Sequence, residues 1–201
     1  MRLTINKMST KYIVNNLSGQ TINGNPIDPK YKVYTALLTQ SGGDSPLSTN
    51  TGLLTIGVTY FINDAVIDMD FTNVGAPNNN VGTYFVATGT NPNWGTNPLG
   101  LAILFYNEGA PVVTVLENTI GNIWFEYGTV GYYSVKSDLL FKQNKTTAML
   151  GSVGDDPADI AFGFLRNQNS EDTLYILTRD SGNVNTDGML VITPIEIRVY
   201  N

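Results

Sequence analysis

The sequence predicts an all-β protein: a β-sandwich or jelly-roll-like module with a second small β module inserted in one loop, and little helix. Charged residues make up only 14% of its 201 residues, whereas surface helices normally carry many Glu, Lys and Arg side chains. The 20 glycines fall mostly between short β-branched and aromatic runs, as turns between strands do. Composition therefore favours strands joined by turns.

A strand pattern that stops and later resumes predicts the insertion. The run YKVYTALLTQSG at residues 31–42 has its natural continuation in APVVTVLEN at residues 110–118. The intervening glycine-rich β pattern at residues 53–94 is self-contained. We therefore predict an N-terminal arm or edge segment at residues 1–30, a host β-sandwich module at residues 31–43 plus 108–201, and an inserted β module at residues 44–107.

The individual strands follow from alternation and from turn residues. Residues 30–39 have apolar side chains on both alternating sets, which is typical of a strand covered on one face and partly on the other. The clearest half-buried pattern is the last one, where Ile195, Ile197 and Val199 alternate with polar residues and Tyr200. The other predicted strands lie at residues 10–17, 53–62 (interrupted at Gly57), 82–88, 99–106, 112–116, 123–127, 132–135, 139–150 (with a polar bend at residues 141–147), 160–165 and 173–178.

Charge and composition exclude several classes of function. The net charge is −6 and only 11 residues are Lys or Arg, so we predict no nucleic-acid partner. The chain has no Cys and no His, which removes disulfides, thiolate metal sites and the usual general base. It has no run of 18 apolar residues and no apolar segment near its start that would suit a signal peptide. We predict no membrane partner and synthesis in a cytoplasm.

Acidic residues offer the only hints of chemistry. Asp64, Asp68 and Asp70 form the densest carboxylate cluster, but their spacing does not match a calcium loop, so solvated or capping roles are favoured. We interpret Asp155, Asp156 and Asp159 as solvated charges in a turn-rich loop. Glu108, Glu117 and Glu126 lie near aromatic residues and could form a glycosidase pair, although the polar faces of strands explain them more simply. We predict no catalytic residue, no metal and no cofactor.

Three aromatic residues are candidates for recognition. Trp94, Trp124 and some of the 11 tyrosines could form a glycan platform, although aromatic residues in strands more often serve packing. Tyr200 lies on the face of the last strand opposite its apolar residues. We predict it as an interface contact.

Two patterns resemble modules common in uncharacterised proteins of tailed phages, notably those infecting Bacteroidetes, including crAss-like phages. The host pattern comprises residues 31–42 and 110–121, followed by Trp124, Gly131, Tyr133 and residues 144–146. The inserted pattern comprises residues 54–60, 70–76 and 85–90, followed by Trp94. In many relatives the two halves of the host pattern run together. Together the patterns span residue 31 to about residue 200.

The resemblance implies a virion structural protein without enzymatic activity. Such modules are similar to those of head fibres, capsid decorations and tail or baseplate appendages, which display β modules outward. The expected location is the virion after synthesis in the host bacterial cytoplasm, with other capsid or tail proteins as partners. The alternatives are a host-surface glycan-binding module and, less favoured, a polysaccharide depolymerase. Strand edges with few Lys and Pro guards further predict a homo-oligomer, a trimer or a dimer.

Overall fold

The computed structural model describes residues 21–22, 25–26, 30–95, 102–151, 162–166 and 170–201. These residues form fourteen strands and one short 3-10 helix at Thr72–Val74, so the predicted all-β fold class is confirmed. In chain order the strands are β1 (Thr21–Ile22), β2 (Asn25–Pro26), β3 (Tyr31–Thr39), β4 (Pro46–Thr49), β5 (Thr59–Asp64), β6 (Tyr84–Val86), β7 (Ile103–Asn107), β8 (Val112–Asn118), β9 (Ile123–Thr129), β10 (Tyr132–Ser137), β11 (Thr146–Leu150), β12 (Phe162–Arg166), β13 (Thr173–Thr178) and β14 (Thr193–Tyr200).

Two four-stranded antiparallel sheets form a sandwich. One has the strand order β11-β14-β3-β8 and the other β12-β13-β10-β9. Side chains alternate across each strand, so that Tyr34, Ala36 and Leu38 of β3 are buried while their neighbours are more exposed. Residues from both sheets share one cluster, which we call the sandwich core. Its buried members include Leu38, Val113, Phe125, Tyr133, Val135, Leu174, Ile176, Ile195 and Ile197.

A third sheet is built from the chain between β3 and β8. Those two strands pair antiparallel, with Thr39 opposite Val112, and the chain leaves and re-enters the sandwich between these residues. The third sheet has the order β4-β7-β5-β6. One of its faces, with Ile62, Phe85 and Leu104, packs with the following loops into a second buried cluster, the third-sheet core.

The third sheet docks on the side of the sandwich where β8 and β9 form the sheet edges. The backbone N–H of Val113 in β8 donates to the carbonyl of Gly57 at 2.9 Å. The backbone N–H of Phe125 in β9 donates to Thr59 Oγ1 at 3.1 Å. The unpaired backbone N–H and C=O groups of an edge strand can pair with another chain. By binding some of these groups, the third sheet protects part of both edges.

A partly buried polar cluster stabilises the region where the chain passes between the sandwich and the third sheet. We call it the neck cluster and define it as Gln40, Tyr127, Tyr133 and Asp187. The amide Nε2 of Gln40 donates to the carbonyls of Gly42, at 2.7 Å, and Gly109, at 3.1 Å. Gly42 lies in the segment that leaves the sandwich, and Gly109 lies in the segment that returns to it. One side chain thereby holds both crossing segments together.

The rest of the neck cluster connects Gln40 to the second sheet of the sandwich. The hydroxyl of Tyr133 lies 2.8 Å from both Gln40 Oε1 and Asp187 Oδ1, and Tyr127 donates to Asp187 Oδ2 at 2.9 Å. Burial, followed by the hydrogen bond to Asp187 and its negative charge, raises the pKa of Tyr133. The cluster is therefore built around a protonated phenol.

We expect the third sheet to be removable. Deleting residues 43–107, so that Gly42 reaches Gly109 through a short turn, should leave a soluble chain with a single cooperative unfolding transition. The reason is that Val86 is the one buried member of the sandwich core that the deletion removes, among the residues described, and loop length adds little entropy cost. Circular dichroism during urea denaturation measures this. An insoluble product, or a transition without cooperativity, would show that the units depend on one another.

Tyr34 supplies a second test of the core. It is 1% exposed and packs against Phe125 across the sandwich, with ring centroids 6.3 Å apart. Its buried hydroxyl has no hydrogen-bond partner among the described residues, and burial raises the pKa of its phenol. The folded state binds the phenol proton of Tyr34 more tightly than the unfolded state does. The contribution of this proton binding to the free energy of unfolding is therefore complete below the unfolded-state pKa of about 10, and it is lost as the pH rises above that value.

Replacing Tyr34 with phenylalanine should therefore have little effect on stability at neutral pH and a larger, stabilising effect at alkaline pH. At pH 7 the free energy of unfolding should be unchanged or raised by up to about 1 kcal/mol, since an unpaired polar group leaves the core. Above about pH 10 the variant should lose stability less steeply than the parent. Urea titrations between neutral and alkaline pH provide the comparison. A clear loss of stability at pH 7 would mean that the hydroxyl is hydrogen-bonded.

Several predicted elements differ in extent from those observed. Strand β4 was not predicted, and residues 53–58 were predicted as strand but form an irregular segment and a turn. The bend predicted within residues 141–147 is observed, but it begins earlier and ends at residue 145. Leu139 and Asn144 adopt left-handed backbone conformations there, with φ of 59° and 58°. The predicted strand at residues 10–17, most of the predicted arm at residues 1–30, and Asp155, Asp156 and Asp159 lie outside the described residues.

Candidate functional site

Trp94 belongs to the packing of the third sheet. Its ring meets Phe71 edge to face at a centroid distance of 5.4 Å, and it packs partly buried against the third-sheet core. Its indole Nε1 donates to the carbonyl of Gly52 at 2.9 Å. Both the ring and the polar tip are engaged within the third sheet and its loops.

Trp124 lies where the third sheet meets the sandwich. It is 9% exposed and stacks on Tyr84 of β6, with centroids 5.4 Å apart and ring planes 9° from parallel. Its indole Nε1 donates to Glu126 Oε1 at 3.1 Å. Trp124 therefore joins the edges of two sheets and also orients a carboxylate.

Tyr200 lies at the end of β14, on the outer face of the sandwich. Its ring is 5.4 Å from that of Tyr31 on the neighbouring strand, and the guanidinium of Arg198 lies 4.8 Å from the centre of the Tyr31 ring. Tyr200 is 38% exposed. The three predicted aromatic residues thus have three separate sets of ring partners.

An aromatic row, which sequence reasoning did not identify, runs across the third sheet to the sandwich. Phe61 of β5 is opposite Phe105 of β7 and Tyr84 of β6, so all three side chains share the face opposite the third-sheet core. The Phe61 centroid lies 6.5 Å from that of Phe105 and 4.6 Å from that of Tyr84. Trp124 completes the row on the sandwich side.

Three rings of the aromatic row, those of Phe61, Tyr84 and Phe105, line a cleft of about 330 Å³ between the third sheet and the sandwich. Strand β9 forms the opposite wall with Phe125, Glu126 and Tyr127, and Asn107 lies near the neck. Phe105 is the open end of the row, with 42% of its surface exposed. The cleft therefore combines aromatic faces with a carboxylate.

Glu126 is the charged group of this cleft. Its carboxylate accepts the indole hydrogen of Trp124 through Oε1. Burial first, and then the negative charge of Glu126, raise the pKa of Tyr84. The carboxylate is therefore held beside two rings of the aromatic row, at a fixed position.

The other two glutamates from the sequence analysis have different surroundings. Glu108 Oε2 accepts the hydroxyl hydrogen of Ser45 at 3.1 Å, near the neck. Glu117 is exposed on β8, opposite Thr35 of β3. Glu126 is the one of the three that lines the cleft.

The carboxylates of the third sheet serve local hydrogen bonds. Asp70 Oδ1 accepts from the backbone N–H of Thr72 at 2.9 Å and from Asn79 Nδ2 at 3.2 Å. The hydroxyl and backbone of Thr72 lower the pKa of Asp70. Asp64 accepts from the next backbone N–H, and Asp68 is exposed. Within the described ranges, no group of three or more acidic, His or Cys residues is placed to hold a metal ion.

Comparisons of the chain with protein-family models, with curated proteins and with solved structures gave no match. The proposed function consequently depends on the residues of this chain alone.

In the described part of the chain, no helix combines the length and apolarity needed to cross a membrane.

Sequence reasoning missed Phe61, Tyr84 and Phe105 because their significance depends on strand register. Each lies in a short apolar run where neighbouring residues are also apolar, so alternation alone does not show which one faces the core. The pairing of β5 with both β6 and β7 brings them to one face. An aromatic residue in each of three consecutive strand patterns was the available signal.

Proposed function

We propose that this protein is a non-enzymatic structural component of a tailed-phage virion, displayed outward as a head fibre, capsid decoration or tail or baseplate appendage. The proposal places it in the particle after synthesis in the host bacterial cytoplasm. Its partners are other capsid or tail proteins and further copies of the same chain. No reaction, cofactor or metal is part of the proposed role.

The observation that carries the proposal is the position of the residues that resemble phage modules. The pattern at residues 31–42 and 110–121 contains β3 and β8, the paired strands from which the third sheet departs. Tyr133, part of the same pattern, is fully buried in the sandwich core and binds in the neck cluster. The resemblance therefore involves residues that determine the fold, which supports a shared architecture.

The mechanics of the fold suit a displayed structural part. Backbone pairing holds together each of the three four-stranded antiparallel sheets, and the neck cluster joins the two chain segments that cross between the sandwich and the third sheet. Acidic side chains such as Asp70 and Asp187 are used in hydrogen bonds that fix turns and the neck. Such a body keeps its shape without disulfides, which a chain lacking Cys requires.

Exposed apolar positions on strand edges support association with further copies. Strand β8 is an edge of its sheet, and beyond the region covered by the third sheet it exposes Val115 (40%) and Leu116 (62%). Strand β11 is the opposite edge and exposes Met149 (56%). A symmetric partner would bury such surfaces. We propose a trimer or a dimer, with Tyr200 as an interface contact.

Quantitative mass spectrometry of purified particles tests the proposed role. The protein should be present at many copies per particle and should stay with the particles through density-gradient purification. Detection in the infected-cell lysate alone, with none in the purified particles, would overturn the proposal.

Light scattering of the recombinant chain at micromolar concentration tests the association. The expected mass is a multiple of the chain mass of 21.9 kDa. A mass of one chain would contradict the proposed association, because the strand edges would then be protected within a single chain.

A further inference from the structure

We infer that the cleft between the third sheet and strand β9 binds a small neutral saccharide. The inference depends on the side chains that line the cleft and holds whether or not the chain is part of a particle. It assigns a ligand site to Phe61, Phe105 and Glu126. Neither core packing nor the neck cluster fully accounts for the positions of these three side chains.

The aromatic row provides the apolar half of the recognition. A pyranose ring has a face of C–H groups, whose slightly positive hydrogens are attracted to the negative face of an aromatic ring. Phe105 is 42% exposed and lies beside the partly buried Phe61. The tilted contact of Phe61 with Tyr84 and the stacking of Tyr84 on Trp124 limit the motion of these rings before any ligand arrives. Such preorganisation lowers the entropy cost of binding.

Glu126 provides the polar half. A carboxylate accepts hydrogen bonds from two neighbouring hydroxyl groups, and these charge-assisted bonds are stronger than neutral ones. Trp124 donates to Oε1 of this carboxylate. That bond fixes the direction of Oε2. An aromatic face and an oriented acceptor in one cleft match a molecule with a C–H face and a rim of hydroxyls.

The charge of the lining residues and the volume of the cleft indicate which saccharides fit. The described lining of the cleft contains the carboxylate of Glu126 and no Lys or Arg, so a uronic or sialic acid would meet an uncompensated negative charge. A cleft of about 330 Å³ is at the small end of ligand sites, which run from roughly 300 to 1,000 Å³. A neutral mono- or disaccharide therefore fits best.

The two tryptophans make a direct experiment possible. In a ¹H–¹⁵N spectrum of the full chain, the indole signal of Trp124 reports on its hydrogen bond to Glu126, whereas that of Trp94 reports on its bond to Gly52. A W94F variant assigns the two signals. The probes are glucose, galactose, mannose, N-acetylglucosamine, maltose, lactose and cellobiose, each at millimolar concentration, with glucuronate and glycerol for comparison. At least one neutral sugar should shift the Trp124 signal in a saturable manner and leave that of Trp94 in place.

Variants then locate the site. F105A removes the exposed ring, and E126Q removes the charge while keeping an acceptor for Trp124; each should weaken binding about tenfold. Y175A removes a partly exposed aromatic residue of β13 that does not line the cleft, and it should leave the affinity unchanged. The E126Q result decides the matter if F105A does not fold.

Three outcomes would overturn the inference. One is that no neutral sugar of the panel moves the Trp124 signal. Another is that glucuronate or glycerol moves it as strongly as the best neutral sugar. The third is that F105A and E126Q bind that sugar as the parent does.

Discussion

Replacing Gln40 with leucine is expected to lower the free energy of unfolding by about 3 kcal/mol. Gln40 is 2% exposed, and its amide serves the carbonyls of Gly42 and Gly109 while its oxygen accepts from Tyr133. Leucine has a similar volume but leaves the carbonyls of Gly42 and Gly109 without this donor and the backbone N–H of Gly188 without its acceptor. The hydroxyl of Tyr133 keeps Asp187 as a partner. Each buried polar group left unsatisfied costs about 1 to 3 kcal/mol. Urea denaturation at pH 7 measures the difference.

The matched control is the same substitution at an exposed glutamine. Gln143 lies in a turn on the surface, and Q143L should change stability by no more than about 0.5 kcal/mol. Equal effects of Q40L and Q143L would contradict the role assigned to the neck cluster, because the loss of the hydrogen bonds from Gln40 to both crossing segments would then cost no more than a change at the surface.

Replacing Gly109 with alanine is expected to cost about 3 kcal/mol as well, by steric exclusion. A β-carbon at this position would collide with the backbone carbonyl of Gly43, with the carbonyl carbon only 2.8 Å away, and would lie 2.9 Å from the ring of Tyr127. The close approach of the outgoing and returning chain leaves no room for it. Backbone atoms on both sides must move, and such overpacking typically costs about 1 to 3 kcal/mol.

A G82A variant serves as the control that distinguishes this steric effect from ordinary backbone strain. Its φ is +93°, which disfavours a side chain, but no atom lies within 4 Å of an added β-carbon. G82A should therefore cost only about 1 kcal/mol. If G109A is no more destabilising than G82A in urea denaturation, the two crossing segments are not packed as tightly as described.

The fold class could be predicted because alternation is strong where one strand face is buried. In β14, Ile195, Ile197 and Val199 are buried and Glu196 and Arg198 less so, as the pattern predicted. Strand β3 was predicted to within one residue for the same reason. The short, exposed strand β4 was missed, since PLST has neither alternation nor β-branched residues beyond its last position.

The candidate site was beyond prediction because it depends on contacts between distant parts of the chain. Trp124 could be singled out as an unusual residue in a strand, but its partner Tyr84 lies in another sheet. The cleft requires the docking of the third sheet against β8 and β9, through groups such as Gly57 and Thr59. No local pattern encodes that docking.

The most direct test of the proposed function is immunogold electron microscopy of intact, purified phage particles, with antibodies raised against the recombinant chain. A structural protein displayed outward predicts gold at recurring positions on the outside of the head or tail. The label should disappear when the antibody is first absorbed with the recombinant chain. Intact particles that stay unlabelled, while the infected-cell lysate contains the antigen, would contradict the account.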